Sequence, residues 1–183
     1  MAFPSSFRAT MAALALACTT GVGNAHATDN GLYDWQPCPD SLAAEGETRP
    51  TKKWEVMLSP YTHHWNYSPE HKPVVLVAVD EQLPGNRFCG VALFSNSFGQ
   101  PSTYVYAGQQ YNNLMGNPNL FVKVTAGILY GYVGKYQDKV PLNHNGFSPA
   151  IIPSIGYRLN EHDSLQVKVL GNAGLMFSYG RSF

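Results

Sequence analysis

Two short stretches carry the side chains best suited to moving a proton or an acyl group. Pro60-Tyr61-Thr62-His63-His64-Trp65 places two imidazoles in succession, and Phe94-Ser95-Asn96-Ser97-Phe98-Gly99-Gln100-Pro101 places hydroxyls and an amide in a glycine-containing loop. A histidine brought against a hydroxyl and an amide supports acyl transfer, with the imidazole acting as general base. Each stretch also has a plainer reading. His63-His64 beside Trp65 suits the aromatic girdle of a membrane interface, and Ser97 suits an ordinary turn. His144 has turn surroundings in Asn143-His144-Asn145-Gly146, while His71 and His162 read as solvated loop residues. The sequence contains no G-x-S-x-G elbow, phosphate-binding loop, H-E-x-x-H or cysteine pair with zinc spacing, so neither a metal nor an organic cofactor is expected.

These side chains need a scaffold, and composition narrows it. The chain has 183 residues, 12 Lys+Arg against 12 Asp+Glu, and only 13% charged residues beside 13% aromatic ones. Without excess positive charge there is no electrostatic basis for binding nucleic acid. An apolar content of 44% argues against disorder, and 17 Gly with 13 Pro interrupt stretches long enough for a helical bundle. The expected class is therefore all-β.

Segments of about ten residues rich in Val, Ile, Tyr, Phe and Thr recur between turn-forming clusters. Eight strands are expected at Trp54–His64, Pro73–Glu81, Phe88–Asn96, Ser102–Tyr111, Leu120–Tyr130, Phe147–Leu159, Ser164–Leu170 and Gly174–Phe183. Gly85-Asn86, Gly116-Asn117-Pro118 and residues 160–163 supply turns. In the last strand, Leu175, Phe177, Tyr179 and Phe183 share one face with Arg181, opposite Met176, Ser178, Gly180 and Ser182. The pattern predicts an eight-stranded antiparallel outer-membrane β-barrel. A soluble lipocalin-like barrel has the same strand number but needs a more charged exterior.

Residues 1–27 read as a signal peptide, with Arg8 before an apolar run at Met11–Cys18 and an A-x-A site at Ala25-His26-Ala27. Residues 28–50 are expected to form a periplasmic extension with a short helical turn at Ser41–Glu45, leaving residues 51–183 for the barrel. Cys18 lacks the upstream leucine usual in a lipoprotein, Ala15 standing there instead. Cys38 and Cys89 lie in a region whose compartment permits a disulfide, with their pairing open. In an antiparallel barrel the C-terminal ends of the first and third strands reach one rim, which brings His64, Asn96 and Ser97 within reach of one another.

The two clusters resemble PagP, the family of outer-membrane lipid A palmitoyltransferases. The family has Pro followed by Thr-x-His near the end of its first strand, matched here by Pro60 and Thr62-His63-His64. Its Phe-Lys-Asp-Ser-Trp resembles Phe94-Ser95-Asn96-Ser97-Phe98, its Phe-Thr-Ala-Gly resembles Val124-Thr125-Ala126-Gly127, and its proline-bracketed apolar run resembles Pro149 to Tyr157. The resemblance implies that His64 is the catalytic base, with Ser97 at the family serine and Asn96 where the family has Asp. An Asn orients an imidazole but lacks the charge that stabilises imidazolium. The family's N-terminal amphipathic helix is not evident.

The resemblance further implies a phospholipid acyl donor, a lipid A acceptor and a monomer in the outer membrane of a Gram-negative bacterium. Gly108 falls where the family has the glycine flooring its acyl pocket, which implies a preference near palmitoyl length. Pro60 and Pro73, then Pro149 and Pro153, read as places where strand pairing opens, because proline has no N–H for the ladder. Similar prolines frame lateral lipid openings in the family. Two alternatives stand beside the transferase. One is a non-catalytic structural or binding barrel. The other is a lipid A deacylase, whose late His-x-Ser pair has no counterpart before Asn172-Ala173-Gly174.

Overall fold

In the computed structural model, residues 35–183 are described, so the signal-peptide expectation for residues 1–27 lies outside the described residues. Asp40–Phe183 forms one compact unit. Its strands are β1 (Trp54–His64), β2 (Leu76–Leu83), β3 (Arg87–Ser95), β4 (Pro101–Asn112), β5 (Leu120–Tyr130), β6 (Phe147–Arg158), β7 (Asp163–Val169) and β8 (Gly174–Ser182). Each pairs antiparallel with the next, and β8 pairs with β1, closing the barrel. Closure gives every strand a neighbour on both sides. The expected strand ends hold to within three residues, and a short 3-10 turn occupies Asp40–Leu42. Cys38 and Cys89 are each disulfide-bonded.

Alternation along the strands sorts the side chains. Val77, Val79, Val105, Ile128, Ile151, Ile155, Leu165, Phe177 and Tyr179 face outward and are exposed, while Met57, Ala78, Phe88, Ala92, Tyr104, Tyr106, Lys123, Gln166 and Met176 face the lumen and are buried. An apolar belt with a partly charged interior inverts the arrangement of a water-soluble barrel. The last strand behaves as its pattern predicts, with Phe177, Tyr179 and Arg181 outside and Met176, Ser178 and Gly180 inside.

The lumen has two zones. Toward the rim formed by the ends of β1, β3, β5 and β7, Met57, Leu76, Ala78, Ala92, Tyr104, Leu129 and Met176 belong to an apolar cluster. Toward the opposite rim, Glu55 accepts hydrogen bonds from Lys123 and from Gln166 at 2.8 Å, while Tyr106 donates to Asp80. Such a cross-braced set of opposite charges is tolerated away from water because its members satisfy one another. It crosses the lumen below the apolar cluster.

Pairing is incomplete at two places on the upper rim. β1 and β2 are in register only from Trp54↔Glu81 to Ser59↔Leu76, so Pro60–His64 has no partner in β2. β6 and β7 are in register only from Ser154↔Lys168 to Arg158↔Ser164, so residues 147–153 have none in β7. Pro60 and Pro153 stand at the first unpaired position of each opening, Pro149 lies within the second, and Pro73 lies just before β2.

Candidate active site

β1 carries a bulge between Leu58 and Tyr61, with one extra residue relative to β8. Below it, Glu55, Met57 and Ser59 point inward; at it, Pro60 and Tyr61 are both exposed; above it, alternation resumes with the opposite parity. His64 is thereby turned toward the barrel axis and His63 toward the outside. A bulge inserts one unpaired residue and re-aims the side chains beyond it, and proline is at home there. His63 packs edge-on against Trp65 with ring centroids 5.8 Å apart. The two neighbouring imidazoles thus face opposite sides of the wall, His63 beside Trp65 outside and His64 inside.

His64 Nε2 lies 2.7 Å from Ser97 Oγ. The hydroxyl sits in a short loop between β3 and β4, within residues 96–100, so the two antiparallel strand ends meet as the topology requires. The Ser97 backbone carbonyl accepts the Lys72 N–H at 2.8 Å, and the Tyr132 hydroxyl lies beside the Ser97 side chain and backbone. Burial pushes the Tyr132 phenol above its ordinary range, with the Ser97 contacts working against that rise. Tyr132 therefore stays protonated.

Asn96 is tied into its own loop. Its Oδ1 accepts the N–H groups of Phe98 and Gln100, each at 3.0 Å, and its Nδ2 donates to Gln100 Oε1 at 3.3 Å and Gly131 O at 3.2 Å. All four hydrogen-bonding positions of the amide are used. Asn96 is fully buried, has no bond to His64, and shapes the loop that presents Ser97.

His71 is no solvated loop histidine. Its ring lies 4.2 Å from that of His64 and 5.7 Å from that of Phe98. Phe98 stacks on Tyr136 at 4.2 Å, which joins residues 65–75, 96–100 and 131–146 through one aromatic cluster. Lys135 and Glu70 bridge two of these loops at 2.9 Å, and the lysine holds the Glu70 carboxyl below its ordinary range. Neither Tyr132 nor His71 stands in a motif. Only their position in loops of the same rim, which alternation and strand count define, marks them as neighbours of His64.

Ser97, Asn96 and Tyr132 line the mouth of a cavity of about 290 Å³ that descends between Leu76, Tyr104, Leu129 and Met176 to Phe88, Tyr106 and Asp80. Pro149 and Ile151 also line it, so it reaches the opening between β6 and β7. Pro60, Pro73 and Pro153 do not line it. Gly108 is not part of its wall either: the Phe88 ring covers it, so that a Cβ on Gly108 would lie 2.4 Å from the ring. Phe88 forms the surface that the glycine was expected to provide. Among the described residues no group of three His, Cys, Asp or Glu is placed to hold a metal ion.

A solved structure from work described as de novo design of transmembrane β-barrels is similar, with a TM-score of 0.54 and 18% identity over 75% of this chain and 99% of that one. No protein-family model and no curated protein matches the sequence. At that identity the likeness concerns fold alone. The chain is an eight-stranded antiparallel β-barrel of the transmembrane type.

Proposed function

We propose that this barrel is an outer-membrane acyltransferase of a Gram-negative bacterium, moving a palmitoyl-like chain from a phospholipid to lipid A. The observation that carries the reading is the 2.7 Å His64–Ser97 pair, whose Ser97 lines a narrow, mainly apolar cavity. Eight-stranded barrels normally fill their interior with side chains. Here the upper interior is open and reaches an unpaired stretch of the wall.

In this reading the acyl chain lies in the cavity with its ester carbonyl at the rim. His64 accepts the proton of the attacking hydroxyl, the hydroxyl oxygen bonds to the carbonyl carbon, and the bond to the donor's glycerol oxygen breaks. The proton then passes from His64 to that oxygen, releasing lysophospholipid. If Ser97 attacks first, lipid A receives the chain in a second, equivalent step; if lipid A attacks directly, Ser97 orients His64. Tyr132 donates toward the developing negative charge. The protein acts as a monomer and needs no cofactor.

The test is mass spectrometry of lipid A from a bacterium lacking this activity, with and without the protein. A gain of one palmitoyl-sized chain that disappears with His64→Ala is expected. Loss of a chain would identify a deacylase. No change with the folded barrel in the outer membrane would make it a non-catalytic barrel.

A further inference from the structure

The cavity ends on unmet polar groups. Asp80 is fully buried on its wall, and although Oδ1 accepts from Tyr106, Oδ2 has no hydrogen-bond partner. The nearest cation, Lys123 Nζ, lies 4.0 Å from Oδ2 and is engaged by Glu55. Lys168 lines the same cavity, and its ammonium finds only Met57 Sδ and Gln166 Oε1, each at 3.5 Å. Leaving a carboxylate oxygen and an ammonium without good partners away from bulk water is costly.

Position defines what would meet them. Asp80 lies four residues below Leu76 on β2, roughly 13 Å along the strand. The groove between is lined by Leu76, Ala78, Ala92, Tyr104, Leu129 and Met176. An unbranched alkyl chain entering from the rim reaches the floor with its far end, and a methyl terminus satisfies neither group. The floor is also balanced in formal charge, Glu55 and Asp80 against Lys123 and Lys168. A charged terminus would upset that balance, whereas a hydroxyl both donates and accepts.

We propose that the floor is a subsite for a terminal hydroxyl on an unbranched chain, the hydroxyl donating to Asp80 Oδ2 and accepting from Lys168 Nζ. The proposal rests on the reading that the cavity holds a chain and not on the transfer chemistry. It adds a distal specificity element far from His64 and Ser97.

The experiment uses the mature barrel in lipid nanodiscs, with radiolabelled dodecanoate displaced by unlabelled dodecanoate or by ω-hydroxydodecanoate. The hydroxylated chain is expected to displace the label at about tenfold lower concentration, the gain of a hydrogen bond to a charged group. Lys168→Met is expected to erase the preference while retaining dodecanoate binding, and Asp80→Asn to reduce it. Folding is read from heat-modifiable migration on a gel, and Lys168→Met decides if Asp80→Asn does not fold. Equal displacement by both chains in the native barrel overturns the subsite and means that solvent serves the floor. A preference persisting in Lys168→Met overturns it too. Absence of saturable dodecanoate binding above empty discs overturns the subsite together with the chain-binding reading, whereas the lipid A assay tests transfer independently.

Discussion

At the scale of single residues, Asn96 decides how the site is built. An aspartate there would keep the two N–H acceptances but set carboxylate oxygens against Gln100 Oε1 and Gly131 O, which now receive its amide hydrogens. Asn96→Asp is expected to destabilise the folded barrel by about 1–3 kcal/mol and to lower transfer, measured by denaturant unfolding and by lipid A labelling. An increase in transfer would mean that the position acts on His64 after all. The base itself sets a second expectation. Only a neutral imidazole accepts a proton, so the transfer rate is expected to fall as pH is lowered through the range in which imidazoles protonate. A rate profile across that range checks this, and a flat profile would exclude His64 as the base.

At the scale of elements, the bulge in β1 chooses between two adjacent histidines. Strict alternation from Glu55, Met57 and Ser59 would send His63 inward and His64 outward. The extra residue between Leu58 and Tyr61 reverses this. His63→Ala is therefore expected to retain most transfer activity, whereas His64→Ala loses at least 100-fold, on the order of a general base's contribution. The reverse result would mean that the bulge is absent in the membrane. The openings are also properties of elements. Residues 60–64 and 147–153 belong to long strands whose neighbours stop short, β2 at Leu76 and β7 at Val169. Proline explains why those positions tolerate lost pairing. The lengths of the neighbouring strands determine that pairing is lost there.

At the scale of the whole molecule, stability rests on an inverted surface. Val105 faces outward near the middle of β4 and is 44% exposed. Val105→Arg is expected to cost about 2–4 kcal/mol if that face meets the hydrocarbon core. Equilibrium unfolding from lipid vesicles checks it, and an unchanged midpoint would argue that the belt faces water. The interior shows the complementary arrangement. Charges concentrate where the lumen is crossed by Glu55, Lys123 and Gln166, and apolar side chains concentrate where it is open. One barrel thus holds a polar network beneath a mainly apolar cavity.

Much of this was legible along the chain because β structure has a period of two and outward strands facing hydrocarbon must be apolar at every other position. That pattern determined the strand number, their ends to within a few residues, and the shared rim on which His64 and Ser97 stand. Three features needed the folded molecule. The parity change at Pro60 depends on how β1 pairs with β8, a relation between distant segments. The role of Asn96 depends on Gly131, 35 positions away, whose carbonyl consumes the amide. The approach of His71 and Tyr132 to His64 and Ser97 depends on loops converging over one rim, and no local spacing encodes convergence. Local periodicity selects the faces of strands, whereas closing the barrel decides which side chains meet.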